Sequence, residues 1–263
     1  MSRDAELPLW DHLEELARRL RVALFSVFIS SVVISLFPAD LNFINNPSFS
    51  DYKPLLSLII EIIQEMMLPK DVNLIALNWI DTFYVYIIIA ITLGTLVSTP
   101  VIAFEFYKFL SPALLSHERR MLIKFMFSFS ILFIAGAAYA YFILLPITFK
   151  TLMRFVYSLG AIPYFAMKDF FEMVFIGLVG SGLFFTLPLL ITFLVKIDLI
   201  DPETLKKNRS YIFVGLLIVT AIITPDPTPL SMLLISIPFY LLYELSILIG
   251  IWIKNKEMKK KNK

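Results

Sequence analysis

Charged side chains are few in this chain, and they are bunched. One bunch reads Phe104-Glu105-Phe106-Tyr107-Lys108-Phe109-Leu110-Ser111-Pro112-Ala113-Leu114-Leu115-Ser116-His117-Glu118-Arg119-Arg120, between two long apolar runs. A second occupies residues 1–21. There Leu9, Leu13, Leu16 and Leu20 recur as a helical apolar stripe, and His12, Glu15 and Arg19 share another face. Together the two bunches read as a recognition surface held by membrane-spanning helices. Glu15 also has a plain structural reading, as a solvated carboxylate or one salt-bridged to Arg18 and Arg19 at i+3 and i+4. Bond-making chemistry finds little here. The two histidines, His12 and His117, each lie near a glutamate, but the ligands are too scattered for a metal site. There is no HExxH, no glycine-rich phosphate loop and no nucleophile elbow. No catalytic residue, metal or cofactor is assigned, and the chain is not expected to be an enzyme.

The elements that must position these groups are membrane helices. The chain has 263 residues, 59% apolar and only 17% charged. A soluble domain sits nearer about 45–50% apolar and about 25% charged. Mean hydropathy is +0.81, and several apolar runs approach the ~20 residues that a bilayer requires. Cysteine is absent, which excludes disulfide and thiolate chemistry. Asp4, Glu6, Asp11, Glu14 and Glu15 ahead of the first apolar run argue against a cleavable signal peptide.

The spans are expected at 22–37, 80–104, 122–145, 170–195, 211–224 and 230–253, giving an all-α membrane domain over residues 1–263. Residues 1–21 form an N-terminal amphipathic segment and 254–263 a basic tail. The first span borrows length from the charged helix before it. Pro100 is expected to break the second span, Pro146 to end the third and Pro188 to kink the fourth. The Ala135-Gly136-Ala137-Ala138 run is suited to close helix contact. Residues 55–68 should form an amphipathic helix too short to span, with Leu56, Ile59, Ile60, Ile63 and Met67 on its apolar face. Trp79 and Tyr84 stand where interfacial aromatics do. Residues 146–168 are expected outside the bilayer core. Asp201-Pro202-Glu203 reads as a helix start. The fifth span is only about 21 Å long if helical, shorter than the bilayer. Glu172 and Glu244 are acids inside spans. Glu172 is near enough to an end to snorkel; Glu244 must face a protein neighbour or water.

Six spans put both termini on one side. On that side lie 18 of the 23 basic residues, leaving Lys53, Lys70, Lys150, Arg154 and Lys168 opposite. The positive-inside rule makes that side, with both termini, cytoplasmic.

The stretch from Pro100-Val101-Ile102 through Phe109-Leu110-Ser111-Pro112-Ala113-Leu114 to His117-Glu118-Arg119-Arg120 closely resembles the first cytoplasmic loop of the TatC family, the multispanning receptors of the twin-arginine translocase. His12-Leu13-Glu14-Glu15-Leu16-Ala17-Arg18-Arg19-Leu20 resembles the family's opening motif. Thr224-Pro225-Asp226 and Ile237-Pro238 through Leu242-Tyr243-Glu244 resemble its Pro-Asp turn and last helix. The resemblance implies a receptor that binds twin-arginine signal peptides of folded cargo in the cell membrane. It implies recruitment of TatA-type, and in some systems TatB-type, single-span subunits into a multi-copy complex driven by the proton gradient, with no nucleic-acid partner. By position, Glu118 and Glu15 match the glutamates that hold the arginine pair, and Phe109, Pro112 and Leu114 the residues that shape the site. His117 is a supporting residue. Arg19, Arg119 and Arg120 orient the glutamates or contact lipid phosphate. Thr186, Asp226 and Glu244 are the intramembrane polar positions facing partners. The glycine-rich fourth span and the short last helices would supply a concave docking wall. Three departures stand out: Ala17 replaces an arginine, Thr186 replaces a glutamate or glutamine, and Leu77-Asn78-Trp79-Ile80-Asp81 replaces a Pro-Glu-Pro-like stretch. The alternative from another class is a secondary transporter or channel for a small solute, for which the chain lacks inverted repeats and paired broken helices.

Overall fold

In hydrocarbon every backbone N–H and C=O must be paired within its own segment, so long apolar runs are helical. The computed structural model describes residues 9–39, 52–110, 119–196, 200–223 and 229–261. In chain order these form α1 (Leu9–Leu36), α2 (Leu55–Met67), β1 (Asn73–Ile75), α3 (Asp81–Leu110), α4 (Arg119–Tyr139), a π-helical turn (Ala140–Leu144), α5 (Leu145–Ser158), β2 (Tyr164–Ala166), α6 (Met167–Lys196), α7 (Pro202–Lys207), α8 (Arg209–Ile223) and α9 (Pro229–Lys261). The protein is a polytopic helical membrane protein. Its strands are a three-residue parallel ribbon, Asn73 opposite Tyr164 and Ile75 opposite Ala166.

Among the described residues four helical stretches are long and apolar enough to cross a bilayer: Leu13–Leu36, Asp81–Phe109, Lys124–Ser158 and Met167–Val195. The remaining apolar stretches, Arg209–Ile218 and Ser236–Trp252, are shorter. The expected shortness therefore holds for α8, at 15 residues. In α9 only the apolar part is short, for the helix itself runs 33 residues and takes in most of the lysine-rich tail. Cations in its last turns sit favourably against the helix dipole.

Two prolines do not do what the sequence suggests. Pro100 lies inside α3 without ending it. Its missing N–H frees the Leu96 carbonyl, and the Thr99 hydroxyl donates to that carbonyl at 2.8 Å. Phe104 to Leu110 are consequently the last turns of α3 rather than loop. Pro146 likewise does not end the third span. The helix widens into the π-helical turn just before it and continues to Ser158. Phe149 and Met153 of this continuation are buried in the packed interior.

Packing follows the small residues. A side chain at Gly94 would strike Ser31 of α1, and one at Gly136 would strike the Ser181 backbone of α6. These are the close approaches that join α1 to α3 and α4 to α6. Gly177 and Gly182 are likewise taken up by Leu145 and Phe133, so within the glycine-rich fourth span only Gly180 faces open space. α2 lies across the end of the bundle with Leu56, Ile63 and Met67 buried, as its amphipathic pattern predicts. The main core gathers α2 to α6 around Phe171, Ile89 and Val174. A second cluster, near the other end of α3, α4 and α6, is aromatic: Tyr107, Phe125, Phe129, Phe133 and Phe193. There Tyr107 and Phe125 centroids lie 5.4 Å apart, and Phe193 meets Phe125 edge-on at 5.9 Å.

Candidate functional site: an anion-rich end of α1 and α3

α1 lies chiefly along α3. Ser30 and Ser98 hydrogen-bond across this contact at 2.9 Å. The pairing carries the charged start of α1 to the last turns of α3. There Arg19 bridges two carboxylates. Its Nη2 donates to Glu15 Oε1 at 3.1 Å and its Nη1 donates to Glu105 Oε2 at 3.1 Å. The Glu15–Arg19 half is the i, i+4 pair read from sequence, in the order that suits the helix dipole. Glu105 was not singled out there, yet it reaches Arg19 from another helix. The three side chains are 17%, 22% and 10% exposed for Glu15, Arg19 and Glu105, so the cluster is largely removed from water. Arg19 Nε is buried and makes no hydrogen bond within the described structure.

Carboxylates predominate among the described side chains that line two hollows at this end. Asp11, Glu14, Glu15 and Arg18 border an open depression of about 270 Å³. On the other side Arg19 and Glu105 join Leu16, Leu20, Phe106 and Phe109 around an apolar notch of about 110 Å³. Among the described residues lining these two hollows, four carboxylates meet two guanidiniums beside an apolar step, while Arg21 and Lys108 of the same helix ends stand outside both linings. Such a site suits a cationic ligand carrying apolar groups: guanidiniums pair bidentately with carboxylates, and low local dielectric strengthens the bonds.

The second ion pair is different. Glu244, the acid deep in the last span, accepts from Arg209 Nη2 at 2.8 Å and from the Tyr240 hydroxyl at 2.9 Å. One anion meets one cation, which satisfies the demand for a protein neighbour. Glu172 accepts from the Tyr84 hydroxyl at 2.6 Å and lies 3.8 Å from Lys168. Thr186 is buried and donates back to the Leu183 carbonyl at 2.7 Å. Asp201 caps α7 by accepting from the Glu203 N–H at 3.1 Å, and Lys254 meets it at 2.9 Å. Those two partners hold the Asp201 carboxyl below the usual carboxylate value, the lysine contributing most.

Of the residues expected to form the site, Glu15, Arg19 and Phe109 come together, with Glu105 added. Thr186 and Glu244 lie elsewhere in the bundle. Pro112, Leu114, His117, Glu118 and Asp226 lie outside the described residues, as do the side chains of Arg119 and Arg120, which open α4. Two signals were available for the missed groups. Glu105 is an acid at the edge of an apolar run, and Arg209 is the nearest cation beginning the helix that precedes Glu244.

A bundle of long apolar helices with a carboxylate-lined end defines the class of polytopic helical membrane protein. Sequence comparison resolves the class. The family described as Sec-independent protein translocase protein (TatC) matches residues 11–238. The TatC of Aquifex aeolicus (strain VF5) is 32% identical over 247 residues, covering 93% of this chain and 95% of that protein. The TatC of Escherichia coli (strain K12) is 29% identical over 247 residues, covering 94% and 89%. The crystal structure of the twin arginine translocase receptor TatC superposes with a TM-score of 0.75 at 31% identity, covering 92% of this chain and 99% of that one. The chain belongs to the TatC family, a non-enzymatic family of protein translocase components. The small-solute transporter reading draws no support from these relationships.

Proposed function

We propose that this chain is the receptor subunit of a twin-arginine translocase, binding the arginine pair of signal peptides on folded cargo at the cytoplasmic face of the cell membrane. Glu118 and Glu15 take the two guanidiniums. Glu105 holds Arg19 beside Glu15 and adds to the negative field, while Phe109, Pro112 and Leu114 receive the peptide's apolar part. His117, Arg119 and Arg120 support the glutamates. The observation that carries this reading is the group of carboxylates, Asp11, Glu14, Glu15 and Glu105, that lines the joined ends of α1 and α3 next to an apolar notch that Phe109 lines. A ligand bringing two guanidiniums can pair bidentately with two of these carboxylates, which a lysine ammonium cannot do.

The rest of the reading follows the family and the charge distribution. Residues 1–263 form one six-helix membrane domain, with segment 1–21 and tail 254–263 cytoplasmic. Bound cargo leads to recruitment of TatA-type single-span subunits, with or without a TatB-type partner, in a multi-copy complex powered by the proton gradient. Asp226 is the polar position offered to those partners; Thr186 is buried against its own helix and Glu244 is taken up by Arg209 and Tyr240. The test is peptide binding to the purified protein in detergent. A twin-arginine peptide should bind and its Lys-Lys variant should bind at least about tenfold more weakly, about 1.4 kcal/mol. Glu118→Ala should abolish the difference and Glu15→Ala reduce it. Equal binding of both peptides to the unaltered protein overturns the proposal.

A further inference from the structure

A second cleft, of about 160 Å³, lies at the same end of the bundle but on another side. Tyr107 of α3, Phe125 of α4, and Leu189 and Phe193 of α6 form its apolar floor, with Lys124, Ser128 and Thr192 completing the lining. Phe125 and Phe193 are buried members of the aromatic cluster, so the floor is part of the packed core. Lys124 is exposed, and no carboxylate among the described residues pairs with it. That sets it apart from Lys168 and Lys254, which meet Glu172 and Asp201, and from Lys108, whose ammonium lies 4.1 Å from the Phe104 ring centroid. Ser128 follows Lys124 by one helical turn. Thr192, across the cleft, donates its proton to the Pro188 carbonyl at 2.7 Å, which leaves its oxygen lone pairs for an incoming donor.

We infer that this cleft is a binding site for an anionic phospholipid. The occupant is an amphiphile by the logic of the lining, with a phosphate at Lys124 and an acyl chain along Phe125, Leu189 and Phe193. The lining residues belong to the apolar stretches Asp81–Phe109, Lys124–Ser158 and Met167–Val195, with Tyr107, Lys124 and Phe193 close to their ends, where a lipid headgroup would meet its acyl chains. A headgroup bearing free hydroxyls would donate to Thr192. A choline headgroup has no such donor and sets its own cation near Lys124. Cationic pockets between membrane helices select anionic headgroups in this way. The inference does not depend on signal-peptide binding, since it uses neither Glu15 nor Glu118.

The test is native mass spectrometry of the full chain in detergent, titrated with phosphatidylglycerol, with phosphatidylcholine, and with inorganic phosphate as competitor. One phosphatidylglycerol should be retained at least about fivefold more than phosphatidylcholine. Lys124→Gln should remove that preference, Lys124→Arg should keep it, and Lys150→Gln, in α5 away from the cleft, should leave it intact. Leu189→Trp, which fills the floor, should lower lipid retention with Lys124 still present. Equal retention of both lipids by the unaltered protein overturns the inference. So does undiminished preference in Lys124→Gln, or displacement of the lipid by inorganic phosphate, which would make the site one for phosphate alone.

Discussion

Two ion clusters anchor this molecule, and they are built to different rules. At the start of α8, Arg209 and Glu244 stand one to one, with the Tyr240 hydroxyl as a second donor to Glu244. At the joined ends of α1 and α3, one guanidinium serves two carboxylates, with Asp11 and Glu14 close by. A balanced pair has no charge left over for a ligand and can be exchanged for apolar residues at little cost. An unbalanced cluster keeps a negative field that a cationic partner relieves. The first tie is structural, and the second is the one on which the proposed recognition rests.

The sharpest break of this contrast is Arg19→Met. It removes the cation between two poorly hydrated carboxylates and should destabilise the protein by about 3 kcal/mol, read as a lower unfolding midpoint in detergent. Adding Glu105→Leu should recover most of that loss, since Glu15 then keeps Arg18 at i+3. Unrecovered stability would mean that Arg19 acts through packing rather than charge.

At the balanced pair the effects should be smaller. Glu244→Leu alone should cost about 1–2 kcal/mol, because the partly exposed Arg209 retains some water. The double variant Arg209→Met with Glu244→Leu should return close to the parent midpoint. A double variant as weak as the single would place Arg209 and Glu244 in separate roles.

The smallest effect belongs to Asp201. Its carboxyl is depressed below its ordinary 3.8 by Lys254 and the Glu203 N–H. A depressed acid stabilises the fold above its unfolded value and loses that contribution as pH falls through the folded value. Asp201→Asn should therefore lower the unfolding midpoint slightly near neutral pH, with the difference closing as pH falls below 3.8. A difference that persists in acid would assign the effect to capping alone.

These contrasts also show which features could be read before the structure. The apolar runs, the amphipathic face of α2 and the Asp201 cap are local patterns, and local patterns survive folding. Proline was read by the rules of soluble helices, and those rules failed at Pro100 and Pro146. The Thr99 hydroxyl covers one freed carbonyl, and a π-helical turn accommodates the other proline. Glu105 was legible as a lone acid beside a span, but its partner sits 86 residues away and depends on how α1 crosses α3. That crossing turns on Gly94 against Ser31, a fit between two helices that no single stretch reveals. Arg209 and Glu244 were each visible; that they meet follows from the packing of α8 on α9.

The central claim is that the carboxylates lining the α1–α3 end select paired guanidiniums. Titration of the Glu15→Gln, Glu105→Gln double variant with the twin-arginine peptide and its Lys-Lys form tests it most directly. Both substitutions keep the size of the side chain and remove its charge. The account predicts that the preference for arginine falls by about tenfold or more, about 1.4 kcal/mol, while the fold is retained. A preference as large as that of the unaltered protein would contradict it.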